Sequence, residues 1–255
     1  MRVPTFERRN EIAHMLLEKG FVKARDLSER YQVSMETIRK DLAYLEQCGA
    51  ARRGYGGAMR SEVEMEQALD LRMDRMVQKR QIAACAMDML DDAKVVFLDA
   101  GTTVHEFAKI LNDAAPLDIV TNSLLAWEVL DARHHNVFLC GGKKREKNMA
   151  LVGSWCVYAI ESVHADVCFL GTSGIDGRKG PTTHSYQELE AKKAMIRQSD
   201  RVYVLADSQK FKESGFHTLC SWDDIDGLIT DSDLPSRTYE RYRKYVPVWV
   251  AEEEM

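Results

Sequence analysis

The sequence predicts a two-part protein: a small, mainly helical N-terminal domain that ends in a β-hairpin, and a larger α/β domain with a mostly parallel sheet. Helical periodicity dominates the first 47 residues, glycines cluster at residues 54–57, and from residue 95 short apolar runs alternate with helical stretches. At 255 residues, with 45% hydrophobic side chains, the chain is long enough for one small domain and one of about 170 residues.

Two amphipathic helices open the chain. The first is predicted over residues 7–19, where Ile12, Leu16 and Leu17 recur at helical spacing. A second, shorter helix is predicted over residues 24–31. With the helix that follows, these segments predict three helices packed within the first 50 residues.

The third helix has a start and a stop in the sequence. The Ser34 hydroxyl can accept a hydrogen bond from a first-turn amide, and Gly49 can take the left-handed conformation that ends a helix. Its apolar face has the spacing i, i+4, i+7 and consists of Ile38, Leu42 and Leu45. The opposite face displays Met35, Glu36, Arg39, Lys40 and Tyr44. A helix whose charged face is only solvated has the same pattern, so the neighbouring segments are needed to decide whether this helix has a binding role.

A turn of two residues, Gln32-Val33, separates the second and third helices. Such a short turn holds two helices at a steep angle, which is helix-turn-helix geometry. Past the third helix, residues 50–58 are too rich in glycine for a helix and suit a tight hairpin. This hairpin can place Arg52 and Arg53 beside DNA phosphates or a minor groove while the helix enters the major groove. The N-terminal domain is therefore predicted to be a winged helix-turn-helix.

This segment resembles the N-terminal signature of the DeoR/GlpR family of bacterial transcriptional regulators, which are usually repressors of sugar catabolism. The matching positions are Arg8, Arg9, Ile12, Gly20, Leu27, Val33, Ser34, residues 37–42, Leu45, Glu46, Gly49, Arg52, Gly56 and Gly57. With the helix and hairpin patterns, the resemblance predicts contacts to double-stranded operator DNA from Ser34, Met35, Glu36, Thr37, Arg39, Lys40, Tyr44, Arg52, Arg53 and Tyr55. Tyr55 departs from the family's usual histidine, so Arg39 and Lys40 are the main expected readers of bases or phosphates.

Charge is distributed unevenly along the chain. Residues 1–60 hold 12 Lys and Arg against 8 Asp and Glu, a net charge of +4. The remaining 195 residues hold 23 against 32, a net of −9, which together give the −5 of the whole chain. Positive charge is concentrated where DNA would bind, so operator affinity should fall steeply with salt concentration.

Composition limits the other classes of protein. No apolar run approaches the roughly 20 residues that a membrane-spanning helix needs, and the first residues lack the apolar core of a signal peptide. We therefore expect a soluble, cytoplasmic protein with no membrane partner. The six cysteines are scattered without a C-x-x-C pair, so we expect small buried side chains and neither a metal site nor a disulfide framework.

A polar, charged stretch without glycine or proline follows residue 60 and extends to about residue 90. Its apolar positions are spaced as in a helix, at Met65, Leu69, Met73, Met76, Ile82, Ala86 and Met89. This stripe is either ordinary core or a dimer seam. The predicted domains are a winged helix-turn-helix at 1–60, a linker helix at 61–80 and an effector-binding sensor domain at 81–255.

Seven strand-like apolar runs predict the sheet of the second domain. They occupy residues 95–98, 119–121, 137–139, 167–170, 202–206, 228–230 and 246–250. Most are separated by helical stretches, which is typical of an α/β domain with a mostly parallel sheet. Ligands of such domains collect at the carboxyl ends of the strands, so the residues after each run are the candidates for binding.

The first strand end resembles a phosphate cradle. Gly101 permits close backbone approach, Thr102 and Thr103 supply hydroxyls, and the helix predicted at 104–111 presents its amides. A Gly-Thr turn that only caps a helix is the alternative. Other strand ends are also small or hydroxylic, at residues 121–123, 141–145, 171–176 and 206–211. Their repetition on one edge favours a polar pocket.

These segments are similar to the sensor domain of the same family, whose fold resembles ribose-5-phosphate isomerase. The resemblance implies that Asp99, Gly101, Thr102, Thr103, Thr121, Asn122 and Ser123 hold the phosphate of a sugar-phosphate effector. It also implies that the sugar side is lined by Gly141, Gly142, Asp176, Glu188, Lys192 and Lys210. For Glu188, Glu190, Lys192 and Lys193, surface salt bridges are the alternative, and His105 and His184 are either sugar ligands or structural.

An isomerase-like enzyme is the alternative function, with Asp176, Glu188 or Lys192 acting on a substrate gripped by its phosphate. We favour a sensor, since an isolated isomerase has no use for a winged helix with a basic hairpin, and we predict no catalytic residue and no cofactor. In the expected mechanism, a homodimer or homotetramer places two winged helices on operator half-sites. The sugar phosphate then favours an arrangement with poor half-site spacing.

Overall fold

The computed structural model describes residues 5–47, 51–60 and 75–252, and the predictions for residues 48–50 and 61–74 lie outside these ranges. The chain divides into two compact units, Met1–Asp74 and Arg75–Met255. Residues 75–80, predicted as the end of a linker, belong to the second of these units.

The first unit contains the predicted three helices. They are α1 (Thr5–Lys19), α2 (Ala24–Tyr31) and α3 (Met35–Gln47). Their apolar faces pack into one core whose buried members include Ile12, Leu16, Leu27, Tyr31, Ile38, Leu42 and Leu45. The helix-turn-helix is closed by Gln32, which takes a left-handed conformation (φ 52°) at the end of α2.

A buried carboxylate connects α1 to α3. Asp41 accepts hydrogen bonds from Arg8 Nε at 2.7 Å and from Arg9 Nε at 2.9 Å. Its side chain is 2% exposed, so the two guanidinium groups supply the partners that a buried charge requires. These ion pairs fix how the first helix crosses the third.

The predicted hairpin of the wing consists of β2 (Ala51–Gly54) and β3 (Gly57–Arg60). A third strand, β1 (Phe21–Lys23), was not predicted, because three residues are too few to show a period of two. The three strands form an antiparallel sheet in the order β1-β3-β2. Strand β1 passes so close to β3 that a Cβ at Gly57 would lie 2.0 Å from the carbonyl oxygen of Val22. Glycine is therefore required at position 57.

The predicted apolar runs of the second unit form β4 (Val95–Leu98), β5 (Asp118–Thr121), β6 (Asn136–Leu139), β9 (Ala165–Gly171), β11 (Ser199–Leu205), β13 (Gly227–Thr230) and β14 (Val248–Val250). These seven strands build one sheet in which every pairing is parallel, in the order β14-β13-β11-β9-β4-β5-β6. Two short antiparallel pairs join β7 (Lys143–Arg145) to β8 (Ala150–Val152) and β10 (Thr182–Thr183) to β12 (His217–Thr218).

Helices cover both faces of this sheet, so its core is divided into two apolar clusters. The helices are α4 (Met76–Met87), α5 (Thr102–Ile110), α6 (Leu124–Val129), α7 (Ser154–Glu161), α8 (Tyr186–Arg197) and α9 (Ser236–Tyr242). As predicted, Cys140, Cys156 and Cys168 are buried core residues, whereas Cys85 and Cys220 are only half-buried. In the described ranges, no helix combines the length and apolar character that crossing a membrane requires.

The strand order reverses between β4 and β9. From β4 the chain proceeds outward to β5 and β6, and it then returns to the other side of β4 to form β9. The loops leaving these two neighbouring strands therefore diverge and open a crevice at their carboxyl ends. Such a switch point is where open α/β sheets bind ligands.

Candidate functional site

A buried ion pair lies at the switch point. Asp99 follows β4, and Lys192 reaches it from α8, where Lys192 Nζ donates a short hydrogen bond to Asp99 Oδ2. The Gly171 N–H at the end of β9 donates to the same carboxylate oxygen at 2.9 Å, and Lys192 Nζ donates to the Gly171 carbonyl at 3.0 Å. Asp99 is 1% exposed and Lys192 4%, so both charges depend on each other and on the β9 backbone.

One helical turn before Lys192, Glu188 is the centre of a second buried polar network. Its carboxylate accepts a short hydrogen bond from Asn148 Nδ2 and another from Thr183 Oγ1 at 3.2 Å. Arg145 lies 4.0 Å from the same carboxylate and donates to Asn148 Oδ1 at 3.0 Å. The alternative of surface salt bridges is therefore wrong for Glu188 and Lys192, because both are buried.

Three members of this network were not among the predicted effector residues: Arg145, which lies in the predicted strand end at 141–145, Asn148 and Thr183. Arg145 ends β7, Asn148 lies in the turn before β8, and Thr183 ends β10. Their segments are short and polar, with no periodicity to mark a buried side chain. The spacing of Glu188 and Lys192 at i, i+4, which puts two charges on one helix face, was the available signal. Glu190 is exposed and Lys193 half-buried.

The N-terminus of α5 lies directly after Asp99. Gly101 is its N-cap residue, and no described side chain makes a capping hydrogen bond there. Thr102 and Thr103 form its first turn and are 7% and 8% exposed. By contrast, α6 is capped by the Ser123 side chain and α8 by Ser185. The first-turn amides of α5 therefore have no side-chain acceptor among the described residues and can bind an external anion.

The strand end at residues 121–123 is largely occupied by internal hydrogen bonds. Thr121 Oγ1 donates to the Leu98 carbonyl at 2.7 Å and accepts from the Ser123 N–H at 3.0 Å. Asn122 Nδ2 donates to the Leu151 carbonyl at 3.2 Å. Within the described chain, Asn122 Oδ1 and Asp99 Oδ1 are buried acceptors without a hydrogen-bond partner. The side chains of Thr121 and Ser123 are thus engaged with backbone groups, and they stabilise the conformation of this strand end.

The other predicted effector residues lie in two further places. Gly142 has a φ of 134°, and a Cβ there would lie 2.6 Å from the Val152 carbonyl oxygen, so the loop after Gly141 requires glycine. Asp176 is half-exposed and pairs with Arg241 at 3.4 Å. Lys210 pairs with Glu213 at 2.6 Å, and its carbonyl accepts from the Ile175 N–H. Asp176 and Lys210 therefore belong to a flank formed by the loops after β9 and β11.

The two buried histidines of the unit have structural partners. His105 Nδ1 hydrogen-bonds the Leu125 carbonyl at 3.2 Å, and burial lowers its pKa. His135 Nδ1 accepts from the Leu117 N–H at 3.1 Å while Nε2 donates to the Leu111 carbonyl at 3.0 Å, and burial lowers its pKa as well. These contacts match the structural interpretation of His105. Among the described residues, no three His, Cys, Asp or Glu side chains are grouped as metal ligands would be.

In the first unit, α3 exposes the side chains predicted to contact DNA. Ser34 caps the helix by accepting from the Thr37 N–H at 3.1 Å, which confirms its predicted role as N-cap. Met35, Glu36, Arg39 and Lys40 are exposed and Thr37 is half-exposed. Within this set, Arg39 and Lys40 have no ion pair among the described residues, so both cations face outward from the helix.

Two other side chains predicted to contact DNA, Tyr44 and Arg53, already have partners within the first unit. The Arg9 guanidinium lies 4.0 Å from the centre of the half-buried Tyr44 ring. Arg53 Nε pairs with Glu46 at 2.5 Å, and Arg53 N–H donates to Glu46 at 2.9 Å. These bonds lower the pKa of the Glu46 carboxyl and tie the wing to α3. Arg52 and Tyr55 are exposed, and Tyr55 lies at the tip of the hairpin.

Known proteins match the chain over both units. The DeoR-like helix-turn-helix domain matches residues 8–63 and the DeoR C terminal sensor domain matches residues 74–232. A putative aga operon transcriptional repressor of Escherichia coli O157:H7 is 33% identical, covering 94% of this chain and 91% of that protein. The lactose phosphotransferase system repressor of Staphylococcus epidermidis is 30% identical, with coverage of 95% and 98%.

Solved structures are much less similar. Ribose 5 phosphate isomerase A from Neisseria gonorrhoeae has a TM-score of 0.36 and 18% identity over 52% of each chain. This likeness is too low to support a conclusion about activity. The family matches cover both units, and the relatives are named as transcriptional regulators, so the chain is not an enzyme. It belongs to the DeoR family of DNA-binding transcriptional regulators, in which a small-molecule sensor domain follows the helix-turn-helix along the chain.

Proposed function

We propose that this protein represses a sugar-catabolic operon and is released from its operator by a phosphorylated sugar bound at the β4/β9 switch point. The names of its relatives support the first half, since they include repressors of an aga operon and of a lactose phosphotransferase system. The second half depends chiefly on one observation. The uncapped N-terminus of α5 lies beside the buried Asp99–Lys192 pair.

The phosphate is assigned to the first turn of α5. Its free amides and the hydroxyls of Thr102 and Thr103 are donors, and the helix dipole favours a negative charge there. Asp99 is unsuited to direct contact, because a carboxylate repels a phosphate. We therefore assign Asp99 to positioning Lys192, the cation of the pair, toward an anionic ligand.

The sugar hydroxyls are assigned to the acceptors around the same crevice. Glu188 can accept from a hydroxyl, and Asn122 Oδ1 is an acceptor that lacks a partner within the described chain. The loop at Gly141 and Gly142 forms one boundary and the flank with Asp176 and Lys210 the other. This division assigns the donors to the phosphate and the acceptors to the sugar hydroxyls.

On the DNA side, α3 is assigned to the major groove and the hairpin with Arg52 and Tyr55 to the adjacent backbone. Arg39 and Lys40 are the exposed cations that can reach base edges or phosphates. We propose a homodimer or homotetramer, because two such helices can read half-sites about one helical turn, 34 Å, apart. An effector that changes this spacing weakens binding.

The proposal is tested in two steps on the full chain. Hexose 1-phosphates, hexose 6-phosphates and pentose 5-phosphates, each beside its unphosphorylated sugar, are first screened for an increase in unfolding temperature. Hits are then titrated into a complex with promoter DNA followed by fluorescence anisotropy. A phosphorylated sugar that stabilises the protein and releases DNA supports the proposal. A panel without any such compound, or a compound that is consumed, contradicts it.

Thr102→Glu locates the effector. A carboxylate in the first turn of α5 should occupy the anion position, so the variant should bind operator but no longer respond to the hit. Thr238→Glu is the matched control, because it introduces the same charge in the first turn of α9. An inducible Thr102→Glu variant would remove α5 from the proposed site.

A further inference from the structure

Arg75 begins the described part of the second unit and reaches the carboxyl edge of its sheet. It is the N-cap residue of α4 and has a left-handed backbone, with a φ of 54°. This conformation is unfavourable for a residue with a side chain unless surrounding contacts hold it. In the sequence, residues 61–74 connect Arg75 directly to the wing.

The guanidinium of Arg75 provides those contacts. Its Nη2 lies within hydrogen-bonding distance of Ser208 Oγ (2.9 Å), Asp233 Oδ2 (2.9 Å) and Asp231 Oδ1 (3.2 Å). Its Nε lies 3.7 Å from Asp207 Oδ1. Asp231 follows β13 and is 0% exposed, and Asp207 follows β11 and is nearly buried. One cation thus holds together three carboxylates from two strand ends.

The partners of Arg75 continue into the proposed effector edge. Asp207 and Ser208 begin a 3₁₀ turn, Ser208–Lys212, that contains Lys210. The Ser208 N–H donates to Asp231 Oδ2 at 2.7 Å, and the Lys210 carbonyl accepts from the Ile175 N–H at 2.9 Å. The same short segment therefore contacts Arg75 at one end and the flank of the candidate site at the other.

Because Arg75 neutralises three nearby carboxylates, moving its side chain would destabilise the segments that carry them. If Arg75 moved away, the three carboxylates would face one another, with Asp231 fully buried, and such an arrangement is unfavourable. The 3₁₀ turn would then have to rearrange. A shift of the 3₁₀ turn would in the same way displace Arg75 and the start of α4.

We propose that Arg75 is a positioning residue that couples the effector edge to the DNA-binding unit through the segment that precedes it. This inference rests on the proposed function, since it names how the sensor's state reaches the operator. Linkage makes such coupling reciprocal in free energy, so operator binding should shift the conformational equilibrium of the 3₁₀ turn. A test can therefore use DNA alone, without an effector.

The experiment is hydrogen–deuterium exchange of the full chain, with and without promoter DNA, read on the peptide at residues 206–213. In the unsubstituted protein, DNA should change exchange in this peptide by about 5-fold or more, the lower end of ordinary allosteric coupling. In Arg75→Ala the DNA-dependent change should disappear. A purely structural role would raise exchange equally with and without DNA, so the DNA-dependent difference separates the two roles.

Arg80→Ala is the matched control on the same helix, because its guanidinium pairs with Glu106 at 3.4 Å and not with the 3₁₀ turn. It should keep the DNA-dependent change. If Arg75→Ala does not fold, Arg75→Lys serves instead, since a lysine keeps the charge but lacks the planar fork and should lose most of the response. An unsubstituted protein without a response, or a folded Arg75 variant that retains it in full, overturns the proposal. Neither result depends on a sugar phosphate, whose role is judged by the thermal screen.

Discussion

Replacing Lys192 by methionine tests the ion pair at the switch point. Asp99 is 1% exposed, so removing the cation leaves a buried carboxylate whose remaining charge-stabilising donor is the Gly171 N–H. Breaking a buried ion pair from one side costs about 3–5 kcal/mol of unfolding free energy. In a unit of this size about 1 kcal/mol corresponds to 2–4 °C, so the unfolding temperature of the second unit should fall by about 6–20 °C.

The assay is thermal and urea unfolding of the full chain, followed by circular dichroism. Lys193→Met is the matched control, because this half-buried neighbour lies on the same helix and its replacement should cost no more than about 0.5 kcal/mol. The double variant Asp99→Asn/Lys192→Met removes both charges and should lose about 0.5–3 kcal/mol less than the sum of the two single variants. A loss below about 1 kcal/mol for Lys192→Met, or strict additivity in the double variant, would refute a coupled buried pair.

Three further outcomes are expected. Arg39→Ala should weaken operator binding about 5- to 150-fold by anisotropy and leave effector binding unchanged, whereas Arg25→Ala on α2 should have little effect; equal affinities would remove α3 from recognition. Burial lowers the pKa of His135 below its ordinary 6.5, so the unfolded chain binds the extra proton first and unfolding free energy should fall as pH drops through about 6.5. The change of unfolding free energy with pH should be smaller in His135→Gln, and a pH dependence equal to that of the unsubstituted protein would contradict this linkage. Gly57→Ala should disrupt the wing and operator binding because its Cβ meets backbone, while Gly54→Ala, with open space, should not; similar losses would exclude the close approach.

Much of the fold was predictable because its elements have strong local patterns. The seven strands of the large sheet are apolar runs bounded by turn residues, and α3 combines an apolar face with the Ser34 cap. The strand β1 escaped prediction, because three residues carry no usable alternation. The order of the strands in the sheet was not predictable, because it depends on contacts between residues that are distant in the sequence.

The candidate site was predictable only in part. Gly101 and the two threonines after it were identified because a glycine-threonine turn after a strand has a recognisable local chemistry. The partnership of Asp99 with Lys192 joins positions 93 residues apart, and spacing alone does not reveal such a pair. Asn148 was missed because a buried polar side chain in a short loop resembles a solvated one in sequence.

The chain separation of the Asp99–Lys192 pair has a consequence for biosynthesis. Lys192 is translated 93 residues after Asp99, so the ion pair at the switch point cannot form until α8 has left the ribosome. Before that moment the Asp99 carboxylate lacks the partner that it has in the folded unit. Long-range parallel pairing of this kind forms late. The ability to sense a ligand should therefore be among the last properties that a newly made molecule acquires, well after its helix-turn-helix has been synthesised.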